Sequence, residues 1–116
     1  MTVTTRVVRQ ARTMQIERHV EDNPQLSRYE ILDGDIVAGF VKYRRGRGEI
    51  EFTHTEIDPA FEGRGLGGAL ARSVLDAARA QDLAVVPSCP FISGWIGKHP
   101  DYADLVPAER RKRFGL

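Results

Sequence analysis

The stretch "FEGRGLGGAL", Phe61–Leu70, decides how this sequence is read. It holds Gly63, Gly65, Gly67 and Gly68, four glycines in six residues, at the point where a helical pattern begins. Glycine weakens a helix by roughly 1 kcal/mol relative to alanine, so the run needs a reason. A helix amino terminus leaves about four backbone N–H groups unpartnered, and the helix dipole adds positive potential there. Glycines remove the Cβ atoms that hold a ligand away, and they accept positive φ. A strand, a bend, several glycines and a helix therefore make a cradle for phosphate oxygens. The competing reading is a loop kept small so that helix and sheet can pack closely.

Downstream of the bend, Leu66, Ala69, Leu70, Val74 and Ala77 form a helical stripe over 66–80, with Arg72, Asp76 and Arg79 on the polar side. Leu75 falls off the stripe, which predicts a widely buried helix. "LAVVPSC" (83–89) reads as a short central strand. "PFISGWIGKH" (90–99) reads as a second helix, with Phe91, Ile92, Trp95 and Ile96 on one face and Trp95 anchored in the core.

Upstream, the period is two. "EIEFTHTEI" (49–57) alternates, placing Ile50, Phe52, His54 and Glu56 on one side and Glu51, Thr53, Thr55 and Ile57 on the other. "IVAGFVKY" (36–43) puts Ala38, Phe40 and Lys42 opposite Gly39, Val41 and Tyr43. "LDGD" (32–35) is a tight turn and "RRGRG" (44–48) a loop. With strands at 15–21 and 28–33, the expectation is an α+β fold: a mixed, mostly antiparallel sheet with helices packed on it.

Composition narrows the class. The 116 residues are 41% apolar and 28% charged, with a formal charge of +1, which fits one globular domain. That charge argues against bulk nucleic-acid or membrane binding. Cys89 is the one cysteine, so no disulfide can form within the chain, and a reducing, cytoplasmic setting is expected. Residues 1–13 read as an extra terminal segment; Arg6, Arg9 and Arg12, with no acid before Glu17, also give it the look of an organellar transit peptide. "ERRKRF" (109–114), within a tail from 107, reads as a solvated basic segment.

The ligand of the cradle follows by comparison of patterns. No Lys-Ser/Thr follows Gly68, which excludes the P-loop. Gly63-x-Gly65-x-x-Gly68 matches the dinucleotide fingerprint, but the strand before it is polar and alternating and lies five residues away (58–62). "EGRGLG" (62–67) instead resembles the pyrophosphate loop of the GNAT superfamily of N-acetyltransferases, with Gly65 and Gly67 at its small positions and Glu62 in place of the usual Gln or Arg. That carboxylate is expected to point away or to pair with Arg64.

"THTEI", "GRGLGGAL", "VVPSCPF" and "KHPDYADL" extend the resemblance over roughly 15–105, toward small single-domain GNAT-like proteins with a cysteine after the fifth strand. The resemblance implies a GNAT-like domain over 14–106 and an acetyl-CoA site between the strand ending near Ile57 and the one ending near Cys89. It implies pantetheine pairing along Thr55–Ile57 and a diphosphate held by Gly63, Arg64, Gly65, Leu66, Gly67 and Gly68.

Transfer to an amine requires a free amine and a polarised carbonyl. A backbone N–H near Ile57 suits the second task. For the first, Cys89, at a helix start, is a candidate nucleophile or base, and His54 and Glu56 are candidate bases. Each also has a structural reading: a buried inert thiol, a hydrogen-bonded strand histidine, a solvated acid. His99 and Lys98 are lesser ligand candidates, and no metal-ligand spacing is present. The expected activity is acetyl-CoA-dependent N-acetylation of a small or protein amine at a shallow acceptor site. The alternative is a non-catalytic CoA-binding module.

Overall fold

A computed structural model describes residues 18–116. The segment read as extra (1–13) and the start of the expected first strand (15–17) lie outside them. One five-stranded sheet runs in the order β1 (Arg18–Asn23), β2 (Arg28–Asp33), β3 (Ile36–Gly46), β4 (Glu49–Ile57) and β5 (Ala84–Pro87). The first four strands form the expected antiparallel meander, and β5 lies parallel to β4. Gly34 (φ 65°) and Gly48 (φ 71°) take the left-handed positions in the turns that enter β3 and β4. A parallel neighbour needs a crossover, and α1 (Leu66–Ala80) supplies it, bounded as its periodicity predicts. After β5 come α2 (Pro90–Lys98), a 3-10 stretch (Pro100–Leu105) and a short α3 (Ala108–Arg111).

The helices cover one face of the sheet. Tyr29, Ile31, Val41, Ile50 and Phe52 meet Leu70, Val74 and Leu75 of α1 and Ile92 and Ile96 of α2 in one continuous core. Leu75 is fully enclosed, as a widely buried helix requires. Ala69, assigned to the buried stripe from its spacing, is exposed, while Ala71 and Ala78 are inside. On α2 Ile92 and Ile96 are fully buried in the core and Trp95, half-buried, packs against it, while Phe91 is 42% exposed.

Strict alternation fails in two strands, and for one reason. In β3, Gly39 pairs with Ile31 but Val37 with Leu32, leaving Ala38 as an extra residue. Ala38 is therefore buried on the side of Val41 and Tyr43 rather than beside Lys42. In β4, Phe52 pairs with Tyr43 but His54 with Lys42, leaving Thr53 as the extra residue. A bulge of this kind reverses which face the following side chains take. Ile50 and Phe52 stay inside, whereas His54 and Glu56 emerge on the uncovered face, and Thr55 and Ile57 turn toward the helices. The strand over 49–57 is thus correctly placed, but the single face containing Ile50, Phe52, His54 and Glu56 does not exist.

The carboxyl-terminal segment folds back on the domain, while Glu109, Lys112 and Arg113 stay exposed. Arg110 bonds Glu49 at 3.1 Å, and the Arg111 Nε donates to the Val106 carbonyl at 2.9 Å. Phe114 and Leu116 pack against the core.

Gly39 tests the crowding that seats β4. A Cβ there would lie 2.7 Å from the Glu56 carbonyl oxygen, which is backbone and cannot rotate aside, and 2.5 Å from Ile57 Cδ1. Gly39→Ala is expected to cost about 2 kcal/mol, read as a lower midpoint in urea denaturation. An unchanged midpoint would contradict this packing.

Candidate functional site

The glycine bend divides into distinct roles. Gly63 (φ 84°) and Gly65 (φ 75°) are left-handed, and a Cβ on either would meet nothing within 4 Å, so conformation and not contact demands glycine there. Gly67 is different: its Cβ would come 2.9 Å from Phe91 Cζ, so the loop is also kept small for helix packing, as the competing reading held. At Gly68 the nearest atom, Trp95 Nε1, is at an ordinary 3.6 Å, and nothing in the structure requires glycine.

Gly65 is the amino-terminal cap of α1, and no side-chain cap hydrogen bond is made there among the described residues. The first backbone donor to reach back is Ala69, to the Gly65 carbonyl at 3.2 Å. No acidic side chain lies in that turn. The open amides and the dipole therefore favour an anion in front of α1. Asp58 is engaged upstream, accepting from the Ala60 N–H at 2.9 Å. Of the two expectations for Glu62, pairing with Arg64 does not occur among the described residues: the Arg64 guanidinium lies 5.3 Å from the Phe61 ring centre instead.

Beside this terminus the two parallel strands part. Pairing between β4 and β5 ends at Phe52 and Pro87, and the Cys89 N–H adds one rung to the Phe52 carbonyl at 2.9 Å. Pro90 has no N–H to continue the ladder, and the chain turns into α2. Residues 53–57 of β4 have no strand on that side among the described residues. Asp58 N–H bonds the Ala38 carbonyl at 2.8 Å, with Ile57 opposite Gly39. Antiparallel ladders alternate, so Thr55 and Ile57 turn their own backbone groups toward the open edge.

Cys89 stands at the fork. It is 3% exposed, and its Sγ lies 3.1 Å from Thr55 Oγ1. No titratable side chain bonds it among the described residues. His54 and Glu56 are elsewhere: His54 Nε2 and Glu56 Oε1 are 3.1 Å apart, both side chains more than half exposed, on the uncovered face. Phe40 neighbours that pair, with ring centres of Phe40 and His54 6.2 Å apart and the Arg28 guanidinium 4.4 Å from the Phe40 centre. The candidates Cys89, His54 and Glu56 are therefore not one cluster. The bulge at Thr53 puts the sheet between them.

Around Trp95 the structure assembles a group that the sequence gives only in pieces: Trp95 as a core residue, His99 as a lesser ligand candidate, Arg72 and Asp76 as polar helix positions, with Tyr102 missed. His99 stacks on the indole at 3.7 Å between centres and bonds the Trp95 carbonyl through Nδ1 at 2.8 Å. Tyr102 meets the indole edge-on at 5.2 Å. Its hydroxyl donates to Asp76 at 2.8 Å and accepts from Arg72 at 3.1 Å. The Asp76 hydrogen bond, with burial, pushes the phenol above its ordinary value. The four-residue step from Trp95 to His99 was the available signal for the stack.

An anion-ready helix terminus thus lies beside diverging strands, on a mixed sheet with helices on one face. Residues 28–105 match the GCN5-related N-acetyl-transferase family, and the chain belongs to it. The solution structure of a GCN5-like protein from Staphylococcus aureus has a similar fold, with a TM-score of 0.61, 24% identity, and coverage of 78% of this chain and 89% of that one. Protein NATD1 of Xenopus tropicalis is 31% identical over 55 residues, 47% of this chain and 50% of the relative. Protein NATD1 of Homo sapiens is 31% identical over 55 residues, 49% of its length. The match thus spans about half of these relatives. Acetyltransferases of this family generally use acetyl-CoA.

Burial of Cys89 has a direct consequence. In the native protein its thiol is expected to react with a disulfide reagent about a hundredfold more slowly than in urea-unfolded chain, because access requires local opening. Equal rates would mean that the thiol is open to solvent.

Proposed function

We propose that this chain binds acetyl-CoA and transfers the acetyl group to a primary amine. The observation that carries the reading is the uncapped amino terminus of α1 beside the open edge of β4. The residues suit the ligand: donors without a cap, no acid in the first turn, and clear space before Gly63 and Gly65. The backbone of residues 63–68 and the Arg64 side chain would hold the diphosphate. Thr55 and Ile57 would pair with the pantetheine arm as a strand would. Acetyl-CoA supplies an acyl group activated as a thioester.

The Ile57 N–H faces the open edge, where it suits polarisation of a carbonyl oxygen. Direct attack by the amine is favoured over a route through Cys89, because the thiol is buried and bonded to Thr55 rather than to a base. On the uncovered face, Glu56 attracts an ammonium group and His54 takes its proton. The acceptor class, a small amine or a protein amine, follows from how open that face is. One observation favours a second reading, a CoA-binding module without turnover: the cradle and the fork are intact while the base candidates stand across the sheet from the thiol.

Calorimetry with acetyl-CoA and with CoA tests the site; if neither binds at millimolar concentration, both readings fail. Thiol release across small amines and basic peptides separates them, and binding without release selects the module. For the transferase, His54→Ala is expected to lower kcat/KM about a hundredfold. Cys89→Ser is expected to keep the rate within about twofold, since a side chain outside the reaction removes no transition-state contact. A Cys89 acetyl adduct, seen by mass spectrometry after exposure to acetyl-CoA alone, would restore the covalent route.

A further inference from the structure

On the face that no helix covers, one row of side chains crosses three strands. Glu30 of β2 stands opposite Phe40 of β3, and Phe40 opposite Glu56 of β4. Arg28, two residues before Glu30, lays its guanidinium 4.4 Å from the Phe40 ring centre. Its Nε donates to Glu30 Oε2 at 2.8 Å, and Asn23 Nδ2 donates to the same oxygen at 3.1 Å. Glu30 is the one buried charged residue among the described residues. Arg28 is thus anchored twice, by a buried carboxylate and by an aromatic ring. An arginine that served only to neutralise Glu30 would commonly do so as a fork, through two nitrogens. Arg28 uses Nε alone, and its two terminal nitrogens have no hydrogen-bond acceptor among the described residues.

Arg28 and Phe40 line a groove of about 320 Å³ together with Val37, Gly39, Glu56 and Asp58. The groove therefore has a fixed cation on its β2 side and two carboxylates at the end of β4. Asp58 gives one oxygen to the Ala60 N–H, and Glu56 lies beside His54. Strands β2 and β4 are two strand spacings apart, about 10 Å. That span suits a small molecule with an ammonium and a carboxylate a few ångströms from each other. We infer that the acceptor is a free amino acid, whose carboxylate is taken by the terminal nitrogens of Arg28 and whose ammonium group is drawn to Glu56. His54 takes one proton from the ammonium. The amine nitrogen then bonds the acetyl carbon as the C–S bond of the thioester breaks. The sulfur leaves with the second nitrogen proton, so the products are an N-acetyl amino acid and CoA thiol, and the proton on His54 returns to solvent. The inference rests on the transferase reading and names its acceptor class.

Thiol release by the full chain is measured with acetyl-CoA and the common amino acids, each beside its carboxamide and its decarboxylated amine. At least one acid is expected to show kcat/KM about tenfold or more above its carboxamide, with the difference in KM. The carboxamide lacks the negative charge that keeps an ammonium group protonated, so intrinsic reactivity runs the other way. Arg28→Gln is expected to erase the preference by raising KM for the acid about tenfold, and Arg28→Lys to keep part of it. Calorimetry on the chain saturated with CoA is expected to give the same order of affinities without turnover. Carboxamides, decarboxylated amines or basic peptides used as well as the acids overturn the inference while the transferase reading stands. So does a preference kept in full by Arg28→Gln and Arg28→Lys in variants with the parent's circular dichroism. No thiol release with any amine overturns both.

Discussion

The hydrogen bond from the Cys89 N–H to the Phe52 carbonyl is the last rung between β4 and β5, and the site is organised by what happens past it. One strand stops because Pro90 cannot extend the ladder. The other gains the extra residue Thr53 and runs on to Ile57. The divergence leaves backbone donors and acceptors of Thr55 and Ile57 facing an open edge. An unpartnered strand edge invites another extended chain; here the edge is short and opens beside the amino terminus of α1. The same rung places Cys89 within reach of Thr55, so that one side-chain contact spans the mouth of the fork.

Much of this was legible in the amino-acid order, and the failures share a cause. The boundaries of α1 and the strand over 49–57 follow from local periodicity, which depends on one element at a time. Bulges do not. Whether Thr53 is an extra residue depends on how Lys42 and Tyr43 pair with the strand opposite, and nothing in "EFTHT" announces it. A one-residue offset then moved His54 and Glu56 to the wrong side and separated them from Cys89. The sequence offers a cradle or a packing reading for the glycines as a run, whereas the structure divides them, with backbone conformation at Gly63 and Gly65 and close approach at Gly67. Two-residue contacts such as Phe91 on Gly67 are invisible until both helices are placed.

The end of the chain carries a related lesson. By charge alone "ERRKRF" is a solvated tail, but Phe114 and Leu116 give that segment apolar anchors. Arg110 finds Glu49, whose side chain points away from the core. Glu51, two residues on, is held below its ordinary range by a hydrogen bond from Ser88, with Arg44 adding to it. One ion pair, Arg110–Glu49, joins the basic terminus to the start of β4. The apolar contacts make that pairing local and persistent, which a count of arginines does not convey.

Trp95 is the chain's one tryptophan. Its indole rests against the imidazole of His99 and beside Gly68. The protein therefore carries its own optical reporter: ultraviolet emission comes from a single indole, a few ångströms from the first turn of α1. A change in the dielectric next to Gly68 alters that emission without any label. Events at this corner of the fold can be followed by light in the unmodified chain.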